Sequence, residues 1–415
     1  MKKLDKNDKK AIIDASNKQG DFDAQKKIFE LRKQVNELHF KFGISKSEIA
    51  RKKNVSRGFV IRWTRKPNMD TTRDKRGWPA GKSRKWDTAA YDKVESLYHQ
   101  LKSDPEEYFY GATAIQIAWR KHYPEDPCPP IRTLGRMLKK RNLSSSAKKE
   151  SSRGAAQYLC YPEYSIYNVI STRTLEADFV GEKYIHGRTA PINFIGYAFK
   201  KAPKLRYFKR IHGKTSKEFK KHTADFIETY EKPTAIKVDN ALAFIGSASG
   251  KRNISSTMEY LLGEEIIPIF SVPRKPFSQA SIEGNNSVFS RKFWNCIEFN
   301  SVSEIDQKLE GFNTSSLNYT RYWKDRKKNR GSKKESERFQ PYVYFIRQVR
   351  EDENHEDGTI NILNEKVRVP GDYITYFVLA QWDLAAEQLT VSIEKEQQLK
   401  PIEKISFKIN SDYKI

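Results

Sequence analysis

Three changes of pattern along a chain of 415 residues predict a multidomain α/β protein. It would have N-terminal helix-turn-helix domains, a central mixed sheet with flanking helices, and a small C-terminal β-barrel. Up to residue 143 apolar residues recur at helical spacing between short turns. From 170 strand-like runs alternate with helical ones, the pattern of an α/β layer fold. From 336 short alternating runs separated by turn residues read as all-β. The composition fits a folded chain of several domains, at 37% hydrophobic and 12% aromatic.

A net charge of +25 makes a polyanion the natural partner, with nucleic acid ahead of a membrane surface. No apolar run approaches the roughly 18 residues of a membrane span, and the start, Met1-Lys2-Lys3-Leu4-Asp5, lacks a signal-peptide core. The expected setting is cytoplasmic, nucleoid-associated through DNA. Cys128, Cys160 and Cys296 lie far apart, which gives neither a disulfide framework nor a zinc cluster and fits a reducing compartment.

Residues 1–70 form the first expected domain. Leu31, Val35, Leu38 and Phe42 make a helical stripe. Ser45 with Glu48 three residues on is a capping box that starts a second helix. Ser56 caps a third, closed by Pro67, and Ile49, Ala50, Val55, Val60 and Ile61 are its expected core. A helical hairpin with solvated basic residues is the ordinary reading. Five basic residues and no acid between Arg51 and Arg62 favour helix-turn-helix, with Arg57, Arg62 and Arg65 facing DNA. Residues 71–85, with Arg73, Arg76, Lys82, Arg84 and Lys85, form a basic linker suited to phosphates or to tethering alone.

Residues 86–143 repeat the three-helix pattern. Ile131, Leu134 and Leu138 point inward on the last helix, with Arg132, Arg136 and Lys139 outside as further DNA contacts. A linker covers 144–169. The core, 170–320, reads as a three-strand meander (174–180, 191–199, 205–211) followed by helix, strand, helix, strand, helix and a last helix. A basic linker follows at 321–335, eight Lys/Arg against Asp325 in 321–334. Residues around Tyr342–Ile346 read as helical or irregular. The barrel, 336–415, rests on five short strands after them.

Three carboxylates stand out in the core. Asp178 lies in the first strand, Asp239 ends a later one, and Glu283 opens the helix after the next. Strand ends are where sites collect in α/β sheets. Singly each has an ordinary reading as a cap or turn residue, and Glu176 competes with Asp178, since alternation puts both on one face. Together they suit a pair of divalent ions, which clamp the attacking and leaving oxygens of a phosphoryl displacement. Mg²⁺ or Mn²⁺, as a pair of ions, takes such hard oxygen ligands. Lys275, Arg291 and Lys292 flank the stretch as phosphate contacts or as plain surface. His186, His212 and His222 lack metal-ligand spacing and read as structural.

Here the residues resemble a family. Val238-Asp239-Asn240 is similar to the second-aspartate motif of DDE transposases and retroviral integrases. Pro273, Pro276 and Phe277-Ser278-Gln279-Ala280-Ser281-Ile282-Glu283 are similar to the approach to its glutamate. The tandem helix-turn-helix and terminal barrel resemble the bacterial insertion-sequence branch, as does the lack of a His-His-Cys-Cys module. Ala241 stands where that family often has Gly, Ala280-Ser281 where it often has Asn-Gly, and the Asp239–Glu283 separation is 44 positions. The resemblance implies a ribonuclease-H-like core with Asp178, Asp239 and Glu283 as catalytic metal ligands. It implies a transposase that binds double-stranded transposon ends and target DNA as a homo-oligomer, cuts, and joins. A DNA-binding regulator with an inactive core, and a nuclease that hydrolyses without joining, are the alternatives.

Overall fold

The computed structural model describes residues 28–68, 86–144, 161–246, 250–329, 339–352 and 355–410. The basic linker 71–85, most of the 144–169 linker with Cys160, and residues 330–334 lie outside the described residues. The chain divides into two compact units, Met1–Asp87 and Thr88–Ile415.

In the first unit α1 (28–40), α2 (Lys46–Lys52) and α3 (Arg57–Trp63) enclose one small core. Ser45 accepts from the Glu48 amide and Ser56 from the Phe59 amide, so both helices start where their caps placed them. Val35, Ile49, Val60 and Trp63 are buried together. Two expected core members are not there. Ile61 is 42% exposed and Phe42 69% exposed. Trp63, two residues on from Ile61, takes the inward position, and α1 stops before Phe42. The Asn36 amide donates to the Trp63 and Lys66 carbonyls at 2.7 and 2.8 Å, tying α1 to the end of α3.

The second unit opens with α4 (Thr88–Ser103), α5 (Ala112–His122) and α6 (Ile131–Lys140). Leu134, Met137 and Leu138 are buried, whereas Ile131 is 45% exposed, because as the first residue of α6 it precedes the turn that packs. After a π-helical turn (Ser165–Ile170) come β1 (Thr174–Lys183), β2 (Ile192–Phe199), β3 (Leu205–Ile211), α7 (Ser216–Thr229) and β4 (Ala235–Val238). Then follow α8 (Leu242–Ile245), α9 (Ser256–Gly263), β5 (Ile267–Phe270), a 3-10 turn (Pro276–Gln279), α10 (Ala280–Lys292), α11 (Val302–Thr320) and α12 (Tyr322–Asn329). The mixed α/β core is present as expected, with α8 as an added helical turn.

β1 to β3 form an antiparallel meander, and β4 and β5 join β1 in parallel. Alternation divides β1 between two layers. Leu175 and Ala177 pack with Phe219 and Phe226 of α7. Val180 packs with Phe289 of α10 and Phe312 of α11 on the other face, where Tyr108 and Phe109 from the α4–α5 connection also insert. The second helical set is thereby docked on the core, with the Tyr108 hydroxyl donating to the Lys308 carbonyl at 3.2 Å.

The C-terminal segment departs from expectation. Tyr342–Gln348 is a strand, β6, where a helical or irregular segment was expected, and it pairs in parallel with β5 through Ile269–Tyr344 and Phe270–Phe345. β7 (Arg350–Asp352), β8 (His355–Ile362) and β9 (Glu365–Val369) make a separate three-stranded sheet. β10 (Phe377–Asp383), β11 (Gln388–Lys395) and β12 (Gln398–Ser406) extend the other edge of β6. The result is one nine-stranded sheet in the order β12-β11-β10-β6-β5-β4-β1-β2-β3, not a free-standing small barrel. Turn residues and alternation reveal strands, but the apolar edge of β5 chose their partner.

Gly196 in β2 sits opposite Asp178, where a Cβ would lie 2.9 Å from Phe208 and 3.1 Å from Ile282 of α10. A methyl group there must push α10 or the Phe208 ring. Gly196→Ala is expected to cost about 1–3 kcal/mol, the usual overpacking range, in a denaturant titration. An unchanged midpoint would show that α10 does not press on β2.

Candidate active site

β1 and β4 pair with Thr174 opposite Ala235, Leu175 opposite Ile236 and Glu176 opposite Lys237. The same offset puts Asp178 level with Asp239, beyond the end of the ladder. Both lie on the sheet face covered by α10, whose first turn carries Glu283. Three segments far apart in sequence thus place the three carboxylates on one face of the sheet, toward the same end.

Asp178 is half-buried, and the Asn286 amide of α10 donates to its Oδ2 at 3.2 Å. Its carboxyl is pushed up to about 7, first by burial and then by the charge of Asp239, with Glu283 adding to the rise; bonds from the Phe179 backbone and Asn286 oppose it. Asp239 accepts from the Ala241 amide at 2.9 Å, the ordinary bond of a turn aspartate, and burial pushes its carboxyl up. Glu283 is exposed, yet partial desolvation and the charge of Glu176 push its carboxyl up as well. Among the described residues none of the three is ion-paired with a lysine or arginine.

This donor set suits a hard divalent cation. It consists of carboxylate oxygens, short of positive charge, with the buried Asn286 Oδ1 beside them lacking a partner among the described residues. As the side chains stand, no group of three or more His, Cys, Asp or Glu among the described residues is gathered to hold one ion.

Glu176 has a different place from Asp178. It is 1% exposed, and its carboxylate accepts from the Tyr167 hydroxyl and, at 2.9 Å, from the Ile282 amide in the first turn of α10. Lys237, also 1% exposed, lies 4.0 Å from it and donates to the Ser278 carbonyl. The strand alternation that relates Asp178 to Glu176 relates Asp239 to Lys237, so this pair was visible in the sequence as two charged residues two positions before two others. Arg347 of β6 is a further residue that sequence reasoning missed. It is buried, and burial pulls its guanidinium down to about 9. It donates to the Asn240 side-chain oxygen at 2.9 Å and to the Ser271 carbonyl at 3.1 Å, so the C-terminal segment braces the residue after Asp239. No local sequence signal pointed to it.

The expected DNA contacts are dispersed. Arg57, Arg62 and Arg65 are exposed in the first unit, and Arg132, Arg136 and Lys139 are exposed on α6 in the second. Lys275 is exposed in the segment between β5 and α10. Arg291 and Lys292 lie more than two turns past Glu283, roughly 12 Å along the helix at its usual rise. Arg291 is exposed and donates to the Ser287 carbonyl, while the Lys292 ammonium sits 3.8 Å from the centre of the Tyr110 ring, a packing role. His222 is buried between Glu218 and Asp225, as a structural histidine is. No helix among the described residues is long and apolar enough to cross a membrane.

No protein family and no curated protein matches the chain. Among solved structures it is similar to a cryo-EM structure of the simian T-cell lymphotropic virus intasome in complex with PP2A regulatory subunit B56 gamma. That match has 12% identity over 56% of this chain and 76% of that one, at a TM-score of 0.33. It is also similar to the catalytic core domain of BIV integrase, with 11% identity over 38% of this chain and 97% of that one, at a TM-score of 0.27. At such identities and scores neither likeness supports a function.

Folding raises the Asp178 carboxyl from an ordinary value of about 3.9, so the folded state holds that proton more tightly than the unfolded one. The stability this contributes is complete below about pH 4 and is lost as the pH rises through 7. In chelator-treated protein the melting temperature is expected to fall between pH 5 and 8, and Asp178→Asn to flatten that fall. An equally steep fall in the variant would remove Asp178 as its source.

Proposed function

We propose that this chain is a DNA transposase of the DDE class, with a ribonuclease-H-like core that cuts transposon ends and joins their 3′-hydroxyls to target DNA. The observation that supports the reading is the placement of Asp178 level with Asp239 by the β1–β4 register, under the helix α10 whose first turn carries Glu283. The strand order β3-β2-β1-β4-β5, antiparallel then parallel, supports the fold assignment. The sequence motifs around Asp239 and Glu283 support the class.

Asp178, Asp239 and Glu283 would hold the metal ions, Mg²⁺ or Mn²⁺. When bound, such ions activate the attacking oxygen and stabilise the leaving one. The chain's own residues do the rest. Asn286 orients Asp178 through its amide. The Ala241 amide holds one oxygen of Asp239, which fixes that carboxylate at the strand end. A net charge of +25 attracts the duplex by releasing its counterions, and the exposed arginines of α3 and basic residues of α6 are the proposed readers of the terminal sequence. Pairing two DNA ends makes the working form an oligomer on DNA.

The test uses a precut 3′-end and a target duplex with Mg²⁺. Asp178→Asn, Asp239→Asn and Glu283→Gln are each expected to lower strand transfer at least about 100-fold, as loss of several kcal/mol of charge stabilisation implies, while DNA affinity stays within about twofold. Full activity in Glu283→Gln would sink the assignment. Hydrolysis without joined product would leave a nuclease, and intact binding with no metal-dependent cleavage by the wild type would leave a DNA-binding regulator.

A further inference from the structure

Behind the three carboxylates lies a second charged group that is almost wholly buried. Glu176 stands two residues before Asp178, and Lys237 two before Asp239, each one pleat repeat, roughly 7 Å, deeper in the sheet. Both side chains are 1% exposed and point to the face under α10. Burying two charges is costly unless geometry and further hydrogen bonds satisfy them. A pair of apolar residues would fill the same space without that cost.

The bonds made by this pair run to one place, the junction of the 3-10 turn with α10. Glu176 accepts from the Ile282 amide at 2.9 Å, capping from a neighbouring strand the helix that carries Glu283. Lys237 donates to the Ser278 carbonyl, which also accepts from the Tyr161 hydroxyl at 3.2 Å. The Tyr167 hydroxyl bridges the two charges, donating to Glu176 and accepting from Lys237 at 3.3 Å. The Gln279 amide returns to the Lys237 carbonyl at 3.5 Å. Apolar packing alone would let α10 slide along the sheet. Directional bonds to Ser278 and Ile282 fix its axial position, and Glu283 is the residue after Ile282.

We propose that the Glu176–Lys237 pair is a positioning device that sets Glu283 on α10 against Asp178 and Asp239. It rests on the reading of those three as the reactive carboxylates. In this role the pair acts through the helix it holds. Because Glu176 and Lys237 sit on the same strands as Asp178 and Asp239, one rigid frame fixes all three carboxylates together.

The experiment uses the full chain with Glu176→Ala, Lys237→Met and the neutral pair Glu176→Gln/Lys237→Met. Hydrogen exchange over residues 278–286 reads the position of α10 without reference to activity, with the amides of α4 to α6 as internal standard. Exchange there is expected to quicken about tenfold or more in the single variants, with the standard unchanged. The turnover of strand transfer is expected to fall about 10- to 100-fold, the usual cost of losing a supporting residue, with KM for DNA unchanged. Should the single variants fail to fold, the neutral pair is read in their place, because it leaves no buried charge unpaired yet lacks the bond to Ser278. Wild-type exchange over 278–286 in the folded variants would overturn the proposal. Full activity in Asp239→Asn would instead overturn the reading of the site, and leave the exchange result to stand.

Discussion

The ladder between β1 and β4 carries a buried charge pair that only one register satisfies. With Glu176 opposite Lys237, each charge has its counterion. A slip by one residue would turn the charged side chains to the α7 face and the apolar ones to α10. A slip of β4 by two would set Glu176 beside Asp239, carboxylate against carboxylate. Removing one partner from such a pair typically costs about 3–5 kcal/mol, so the wrong registers are strongly disfavoured. The level placement of Asp178 and Asp239 follows from that choice, because it is the same ladder carried two residues further.

The third carboxylate depends on how α10 meets the sheet, and two kinds of contact decide it. Apolar packing of Phe289 and Phe293 with Phe194, Phe208 and Phe312 presses the helix down, and Gly196 permits the close approach of Ile282. Such contacts are strong in sum but tolerant of small shifts. The hydrogen bonds at the start of α10 are individually modest, but they are directional and shielded from water. The same junction therefore combines adhesion at the far end of the helix with alignment at the near end, where Glu283 lies.

The C-terminal strands are part of the same frame. β6 extends the sheet beside β5, and Arg347 reaches from it to Asn240 and to the carbonyl of Ser271. A buried guanidinium with carbonyl and amide acceptors but no carboxylate partner among the described residues holds its place by those bonds. The loop after Asp239 is thus braced from a segment more than a hundred residues away. The carboxylate end of the sheet is supported from β1, β6 and α10.

Much of this was legible in the chain itself. Caps at Ser45 and Ser56 located helix starts because their bonds are local, spanning three residues. Short apolar runs found β2, β4 and β5, which are buried along nearly their whole length. The candidate carboxylates could be named because Asp178, Asp239 and Glu283 fall at strand or helix positions that the periodic pattern fixes. Other features depended on partners that sequence distance hides. Ile61 and Ile131 looked like core but lie at the surface, because which arc of a short helix is covered depends on its neighbours. The last strands joined β5 instead of closing on themselves, since strand pairing is a choice between edges, and no local residue records it. The roles of Glu176, Lys237 and Arg347 appeared only when the chain had folded, because a buried charge has meaning through what it is bonded to. Sequence alone determined where carboxylates could stand on strands and helices. The tertiary structure decided how those strands and helices meet, because register and helix docking are set by contacts between residues tens to over a hundred positions apart.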